Sequence, residues 1–435
     1  MKVSKYNYIF SSEKFGNLLY NSETNSFAEI AESIMLYLQQ GKDSGSTVEN
    51  YEDSEIMEAL ISAKILVEEN NSYFNKKKLL SNLNNFNNSV LDLTIAPTTF
   101  CNFDCIYCFE ENRLPVFMSE ETENRLVDFI SKDENIKILN IEWYGGEPLA
   151  AFGSIKRIVE KVEKIPDIKL GSHRMITNGY LLTENKSKYF SEHPLDRIQI
   201  TIDGKKDTHN KRRKLSSGGE TYDKIISNVD TFIRYNTNTI VSIRVNLDSS
   251  NKYEFVEIYK ELKERWYTHP KIDIYPAFVA DYTDGCSSNC SIVDKNAIAE
   301  FYIDLYKTHN IPINYYPSLT VGGCGATTLN SFLVGPKGEL YKCWCDIGIE
   351  SKVIGYLGEN KILNENVLYE YLVGYSMFDD PQCKVCEIFP ICDGGCQFKR
   401  IQNCKNQNQH NLCNVRKDNL DKFLEMHYTM KLDNE

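Results

Sequence analysis

Cys101, Cys105 and Cys108 stand in the run CNFDCIYCFE at C-x3-C-x2-C spacing. Three thiolates on so short a stretch can converge on one metal centre. A mononuclear structural zinc takes four ligands, and no fourth Cys or His lies beside these three. A cubane iron–sulfur cluster has four irons, so three cysteines would leave one iron open to an exogenous ligand, as catalysis requires. A second group closes the chain: Cys383, Cys386, Cys392 and Cys396 at C-x2-C-x5-C-x3-C, with Cys404 and Cys413 behind and Cys324 and Cys343 upstream. Of 14 cysteines, none precedes Cys101, none falls within 109–285, and eleven lie beyond. Thiols used as small core hydrophobes would scatter. In a cytoplasmic chain, where thiol buffers keep disulfides reduced, clustering of this kind points to metal or catalysis.

Alternating strand and helix patterns must position these residues. Residues 90–310 carry six candidate strands, VLDLTIAP, IKILNIEWYG, SHRMITNG, RIQITIDG, TIVSIRVNLD and KIDIYPAF, with amphipathic stretches such as ETENRLVDFISK between them. Such a repeat implies an α/β fold with a parallel sheet and right-handed crossovers, either an open sheet or a curved partial barrel. Its chemistry is expected in loops at the C-terminal ends of strands. Before it, KYNYIF, NLLYNS and SFAEI read as three strands. IAESIMLYLQQ and SEIMEALISAKILVEEN then read as helices. The expectation is a separate winged-helix-like α+β domain over 1–85, joined by an Asn-rich linker at 81–89. The α/β domain then spans 86–310, and a loop-rich cysteine domain that needs metal to fold spans 311–435.

Composition narrows the partners. The 435 residues carry 49 Lys plus Arg against 61 Asp plus Glu, a net charge of −12, which argues against nucleic acid. No apolar run approaches the ~20 residues that cross a bilayer, which argues against a membrane. The opening MKVSKYNYIF lacks the apolar segment of a secretion signal, so a cytoplasmic chain is expected.

The first cysteine loop resembles the radical S-adenosylmethionine (SAM) superfamily, in which a [4Fe-4S] cluster binds SAM through its open iron. Tyr107 fills that family's aromatic position before the third cysteine. Trp143-Tyr144-Gly145-Gly146-Glu147-Pro148 at the second strand end matches its GGEP motif. Carbonyls there and the Glu147 carboxylate can accept hydrogen bonds from an ammonium group. By the same resemblance, Thr177 and Asn178 face the ribose, and Thr201 and Arg213 contact the SAM carboxylate, for which an Arg fork is suited. Arg244 and Asn246 are weaker SAM neighbours, His209 structures its loop, and Lys205, Lys206 and Lys211 are solvated.

The tail resembles the SPASM extension of radical SAM enzymes, including the upstream Cys324-x13-Gly338-x4-Cys343. The resemblance implies two auxiliary iron–sulfur clusters of the [4Fe-4S] type. Cys383, Cys386, Cys392 and Cys413 would hold one, with Cys404 an alternative to Cys413. Cys324, Cys343 and Cys396 would belong to the other, so that Cys396 staples the tail to the earlier loop. Its fourth ligand is left among Cys286, Cys290, Cys345 and a substrate thiolate.

SPASM enzymes act mainly on peptides, and two readings compete. One is a maturase that installs a thioether or carbon–carbon cross-link in a ribosomally made precursor, with the N-terminal domain adding the leader as a strand. The other is an anaerobic sulfatase-maturating, formylglycine-generating enzyme. That group carries an Asp directly after the cysteine matching Cys343. This chain has Trp344 there and Asp346 further on, a departure that favours the maturase and leaves Asp346 the one candidate base. The implied partners are a precursor peptide with its leader and an external electron donor such as flavodoxin or ferredoxin.

Overall fold

A computed structural model describes residues 1–49, 51–68, 72–108, 110, 114–280, 293–359, 361–406 and 408–433. Their contacts divide the chain into two compact units: residues 1–86, 295–328 and 372–435 in one, 87–294 and 329–371 in the other. The expected three-way division is thus drawn differently. Residues 295–310 and most of the tail group with the N-terminal segment, while 329–371 group with the α/β segment.

The first unit opens with β1 (Lys2–Val3), β2 (Asn7–Ser12), β3 (Gly16–Asn21) and β4 (Ser26–Glu29), then α1 (Glu32–Ser44), α2 (Ser54–Ser62), β5 (Leu66–Val67) and α3 (Ser72–Asn85). The antiparallel meander β2-β3-β4 and the helices after it match the sequence reading. Two boundaries do not. The second helix stops at Ser62, because Lys64 takes a left-handed φ of 61° and the chain turns into β5 to pair with β1. The Asn-rich segment is not a linker over its first half: α3 runs to Asn85 and buries Lys77 and Ser81 on one face.

The second unit carries β6 (Val90–Ile95), β7 (Phe103–Cys105), α4 (Glu120–Lys132), β8 (Ile138–Trp143), α5 (Phe152–Val162), β9 (Lys169–Thr177) and α6 (Glu184–Glu192). It continues with β10 (Arg197–Ile202), α7 (Lys206–Arg212), β11 (Arg213–Leu215), α8 (Tyr222–Tyr235), β12 (Ile240–Leu247), α9 (Phe255–Arg265) and β13 (Ile272–Phe278). All six strands read from sequence are present and lie parallel in chain order. α10 (Lys295–Lys307) returns to the first unit, after which β14 (Ser331–Val334), β15 (Glu339–Tyr341) and β16 (Gly355–Tyr356) extend the sheet. Among the described residues the sheet has nine strands, ordered β13-β12-β10-β9-β8-β6-β14-β15-β16, with β14 parallel to β6. The last helices are α11 (Glu365–Tyr369), α12 (Pro381–Val385), α13 (Gln397–Asn406) and α14 (Leu420–Asp433), of which α11 belongs to the second unit.

Strand alternation gives this sheet two unlike faces. Leu91, Leu93, Ile95, Leu139, Ile141 and Trp143 are buried. The residues between them, Asp92, Thr94, Asn140 and Glu142, are polar and only half-buried. On that polar face Asn140 Nδ2 donates to Asp92 Oδ1 at 2.6 Å and Ser172 donates to Asn140 Oδ1 at 3.0 Å. Farther along, Tyr275 donates to Gln199 at 2.7 Å and Arg244 Nε to Asn246 Oδ1 at 2.8 Å. No described helix is long and apolar enough to cross a membrane.

Candidate functional site

The loop after β6 leaves the sheet at Ala96 and carries all three cysteines of the first motif. Its shape comes from two neighbouring strand ends. β7 pairs antiparallel with β11, placing Arg213 opposite Cys105 and Leu215 opposite Phe103. On the other side the Gly145-Gly146 run passes directly against the loop backbone. Gly146 N donates to Thr98 O at 3.2 Å and Glu147 N to Phe100 O at 2.8 Å. A Cβ on Gly145, whose φ is +109°, would sit 2.4 Å from Thr98 O; one on Gly146 would sit 2.4 Å from Phe100 O. The two glycines are therefore required by the cysteine loop itself, whatever else binds there.

The thiols form one electrostatic group. Burial pushes Cys101 up to about 12 and Cys108 up to about 11, with neighbouring cysteines adding to both. Burial also raises Cys105, against the lowering effect of Arg213. Sulfurs in such surroundings shed their protons only when a metal takes their place. Cys101 Sγ accepts from Phe103 N at 3.4 Å and from Asn178 Nδ2 at 3.9 Å.

Several expected cofactor contacts are turned toward the protein. The fully buried Glu147 carboxylate accepts from Thr177 Oγ1 at 2.6 Å, Asn178 N at 2.8 Å and Leu149 N at 3.0 Å. It joins the ends of β8 and β9 rather than facing an open space. Thr177 is spent on that bond. Asn178 donates to Asn102 Oδ1 at 2.9 Å and accepts from Tyr180 N, so its amide clamps the cysteine loop. Thr201, by contrast, makes no side-chain hydrogen bond among the described residues and lies in register between Thr177's strand and Arg244.

Beneath Cys105 lies a buried charge network of which sequence reading found only part. Tyr107 donates to Asp203 Oδ1 at 2.7 Å and accepts from Arg213 Nη1 at 2.8 Å and Asn246 Nδ2 at 2.9 Å. Asp203, fully buried, also accepts from Arg212 Nε at 3.0 Å, and Arg212 Nη1 reaches Asp248 at 2.8 Å. Burial raises the Asp203 carboxyl and the two guanidinium groups oppose that rise. Arg213 Nε is buried and makes no hydrogen bond among the described residues. A buried donor so placed, opposite Cys105, suits an anionic group of a bound cofactor. Strand alternation around 203 and 248 could have marked both aspartates. His209 has the structural role expected: Nδ1 accepts from Asp203 N at 3.2 Å and Nε2 meets Thr221 Oγ1 at 3.1 Å. Lys205, Lys206 and Lys211 are exposed.

In the tail, Cys383, Cys386, Cys392, Cys404 and Cys413 line one cavity of about 1400 Å³ within the first unit. Burial raises Cys383, Cys386 and Cys392, and Cys413 adds to the rise at Cys386 and Cys392. A four-thiol donor set of this kind fits an iron–sulfur cluster. Cys324 and Cys396 belong to the first unit and Cys343 to the second. The Cys345 thiol, then burial, hold Cys343 well above its ordinary range. Asp346, fully buried, accepts from Tyr371 at 2.8 Å. Trp344 packs against Tyr144 with ring centres 4.6 Å apart and ring planes tilted by 31°. Cys286 and Cys290 lie outside the described residues.

Residues 95–262 match the model of the Radical SAM superfamily. With three thiols grouped on one loop at the head of this sheet, that segment is a radical SAM domain, and such a domain implies SAM and a [4Fe-4S] cluster. It is 25% identical over 340 residues to the cysteine-type anaerobic sulfatase-maturating enzyme of Clostridium perfringens, 71% of this chain and 89% of that enzyme. The fold is shared with native anSMEcpe bound to AdoMet and Kp18Cys peptide, at a TM-score of 0.61 and 22% identity, covering 79% of this chain and 98% of that one. It is also shared with Streptococcus suis SuiB bound to precursor peptide SuiA, at a TM-score of 0.52 and 18% identity, covering 92% and 96%.

Proposed function

We propose that this enzyme modifies a ribosomally made precursor peptide after translation, by hydrogen abstraction leading to a thioether or carbon–carbon cross-link. The observation carrying this reading is coverage. SuiB, bound to a precursor peptide, spans 92% of this chain, whereas the peptide-bound sulfatase-maturating structure spans 79%. The surplus fits the N-terminal meander and helices, a winged-helix-like element whose sheet edge suits addition of a leader strand. Strands in chain order suit a curved partial (β/α)6 barrel over the second unit.

When bound, the cluster and SAM supply a 5′-deoxyadenosyl radical that takes a hydrogen atom from substrate carbon. This chain's own residues hold and orient. Cys101, Cys105 and Cys108 take three irons, and backbone carbonyls of Gly145 to Glu147 receive the SAM ammonium. Arg213 and Thr201 receive its carboxylate. Tyr107, Glu147 and Asn178 keep those groups in place from behind. Cys383, Cys386, Cys392 and Cys413 hold one auxiliary cluster. The resemblance assigns Cys324, Cys343 and Cys396 to another, and Cys345 follows Cys343 by two positions. Electrons come from a flavodoxin- or ferredoxin-type donor.

Similarity over 340 residues to a sulfatase-maturating enzyme favours the second reading, formylglycine formation with Asp346 as base. The test incubates reconstituted enzyme, SAM and reductant with a candidate precursor or with a sulfatase peptide. Loss of two hydrogens from the precursor without an aldehyde supports the first reading. A hydrazide-reactive aldehyde on the sulfatase peptide, with the precursor untouched, rejects it.

A further inference from the structure

The cysteine loop 383–392 is held largely by side chains of the N-terminal segment. The Lys77 side chain, on α3, is almost completely buried. Its ammonium donates to Phe389 O at 2.7 Å, Cys392 O at 2.8 Å, Pro390 O at 3.2 Å and Thr320 Oγ1 at 3.0 Å. It also lies 4.8 Å from the Phe389 ring centre. Three further donors reach the same loop. Lys5 Nζ donates to Lys384 O at 3.1 Å, Ser22 Oγ to Glu387 O, and Lys42 Nζ to the Glu387 carboxylate at 3.2 Å. Under the loop, Tyr6 packs with Met377, Phe378 and Phe389.

A buried ammonium is costly unless fully paired, and carbonyls are the partners of a charge meant to be kept. Three of Lys77's four acceptors are main-chain oxygens between residues 389 and 392, in and just after a 3-10 turn (Phe389–Ile391). Backbone donors reach two of them: Cys392 N meets Phe389 O at 3.2 Å and Thr320 N meets Pro390 O at 3.1 Å. Each carbonyl has a second lone pair, and the ammonium takes it. In doing so it fixes the direction in which Cys392 leaves the turn.

We propose that Lys77 is the positioning residue of the auxiliary iron–sulfur site: the N-terminal segment, through Lys77 with Lys5, Ser22 and Lys42, shapes the Cys383–Cys392 loop for its cluster and places a buried positive charge beside it. This rests on the reading that Cys383, Cys386, Cys392 and Cys413 hold a cluster. A cation at this distance also favours the more negative, reduced form of the cluster, so the same residue sets its potential.

The experiment compares anaerobically reconstituted wild-type chain with Lys77→Met, Lys77→Arg and the surface double variant Lys5→Met/Lys42→Met. All are made on a Cys101→Ala/Cys105→Ala/Cys108→Ala background, so only tail clusters are read. Iron and sulfide per chain, iron release to a chelator and the midpoint potential are measured. With bonds to a charged donor worth ~1.5–3 kcal/mol, Lys77→Met should release iron at least about tenfold faster. Its potential should move to more negative values, Lys77→Arg should restore both, and the surface variant should release iron a few-fold faster. Where Lys77→Met does not fold, the surface variant decides alone. Release rates and potentials equal to the parent's in Lys77→Met, or a release rate equal to it in the surface variant where Lys77→Met does not fold, would overturn the proposal. A parent that binds no iron would instead overturn the cluster reading beneath it.

Discussion

Replacing Gly146 with Ala tests whether the glycine pair exists for the cysteine loop. The added Cβ would stand 2.4 Å from Phe100 O, 2.5 Å from Phe100 C and 2.6 Å from Thr99 O, all of them backbone atoms. The optimum for non-bonded carbon contacts is ~3.5 Å, so the loop must retreat by about 1 Å. Overpacking of that kind costs ~1–3 kcal/mol. Stretching the bonds from Gly146 N to Thr98 O and from Glu147 N to Phe100 O adds ~0.5–1.5 kcal/mol each. A total of roughly 2–6 kcal/mol follows, and Cys101 is the residue next to the displaced carbonyl. A ~1 Å error at reacting groups can cost on the order of a hundredfold in rate. The assay pairs urea unfolding of the cluster-free protein with deoxyadenosine formation from SAM under dithionite, in the absence of any peptide. A Gly146→Ala protein with an unchanged urea midpoint and a deoxyadenosine rate within about twofold of the parent would refute the reasoning.

Asp203→Ala takes a buried carboxylate from both Arg212 and Arg213 and should cost about 3–5 kcal/mol by urea unfolding, whereas Asp203→Asn, which keeps an acceptor for Tyr107, should cost less. The buried His173 receives Trp143 Nε1 on Nε2 at 2.7 Å, and burial lowers it to about 4 from 6.5. Being neutral in the fold but protonated in the open chain below pH 6.5, it contributes stability above that pH which disappears as pH falls toward 4. Cluster-free protein should therefore lose roughly 2 kcal/mol between about pH 7 and 5 through this group, and His173→Gln should flatten that slope. Deleting residues 1–85 should lower iron bound by the tail as well as leader affinity, read by iron content and peptide titration. A deletion that keeps full iron while losing only the leader would show the two functions to be separable.

The α/β half was legible because its signals are local. Each strand has its own apolar alternation, each is followed by a helix of the right period, and the motif residues Cys101, Glu147, Asn178 and Thr201 stand at or just beyond successive strand ends. The cysteine spacings were legible for the same reason, since thiols that are to converge can sit on one short loop. Partners of side chains were less so. Nothing about Glu147 in the string GGEP says that its carboxylate turns inward to Thr177, Asn178 and Leu149, because the choice depends on where another strand ends.

The compact units depart from the expected division where pairing is most distant in sequence. β14 finds its place beside β6, with Ser331 opposite Asp92 and Val334 opposite Ile95, so a segment read as tail completes the central sheet. In the other unit, Tyr20 of the N-terminal meander shares a core with Ile388, Ile391, Leu420 and Leu424. That contact hides one face of a small sheet which, alone, would have to expose it. A three-stranded sheet is marginal without a partner, and a cysteine loop with few periodic residues is marginal without a scaffold. Each supplies what the other lacks, and the buried Lys77 amid carbonyls of the loop is the polar counterpart of that apolar joint. Composition changes near residue 90 and again near 310 mark where helices and strands alternate. They carry no record of which distant segments must meet before either end can fold.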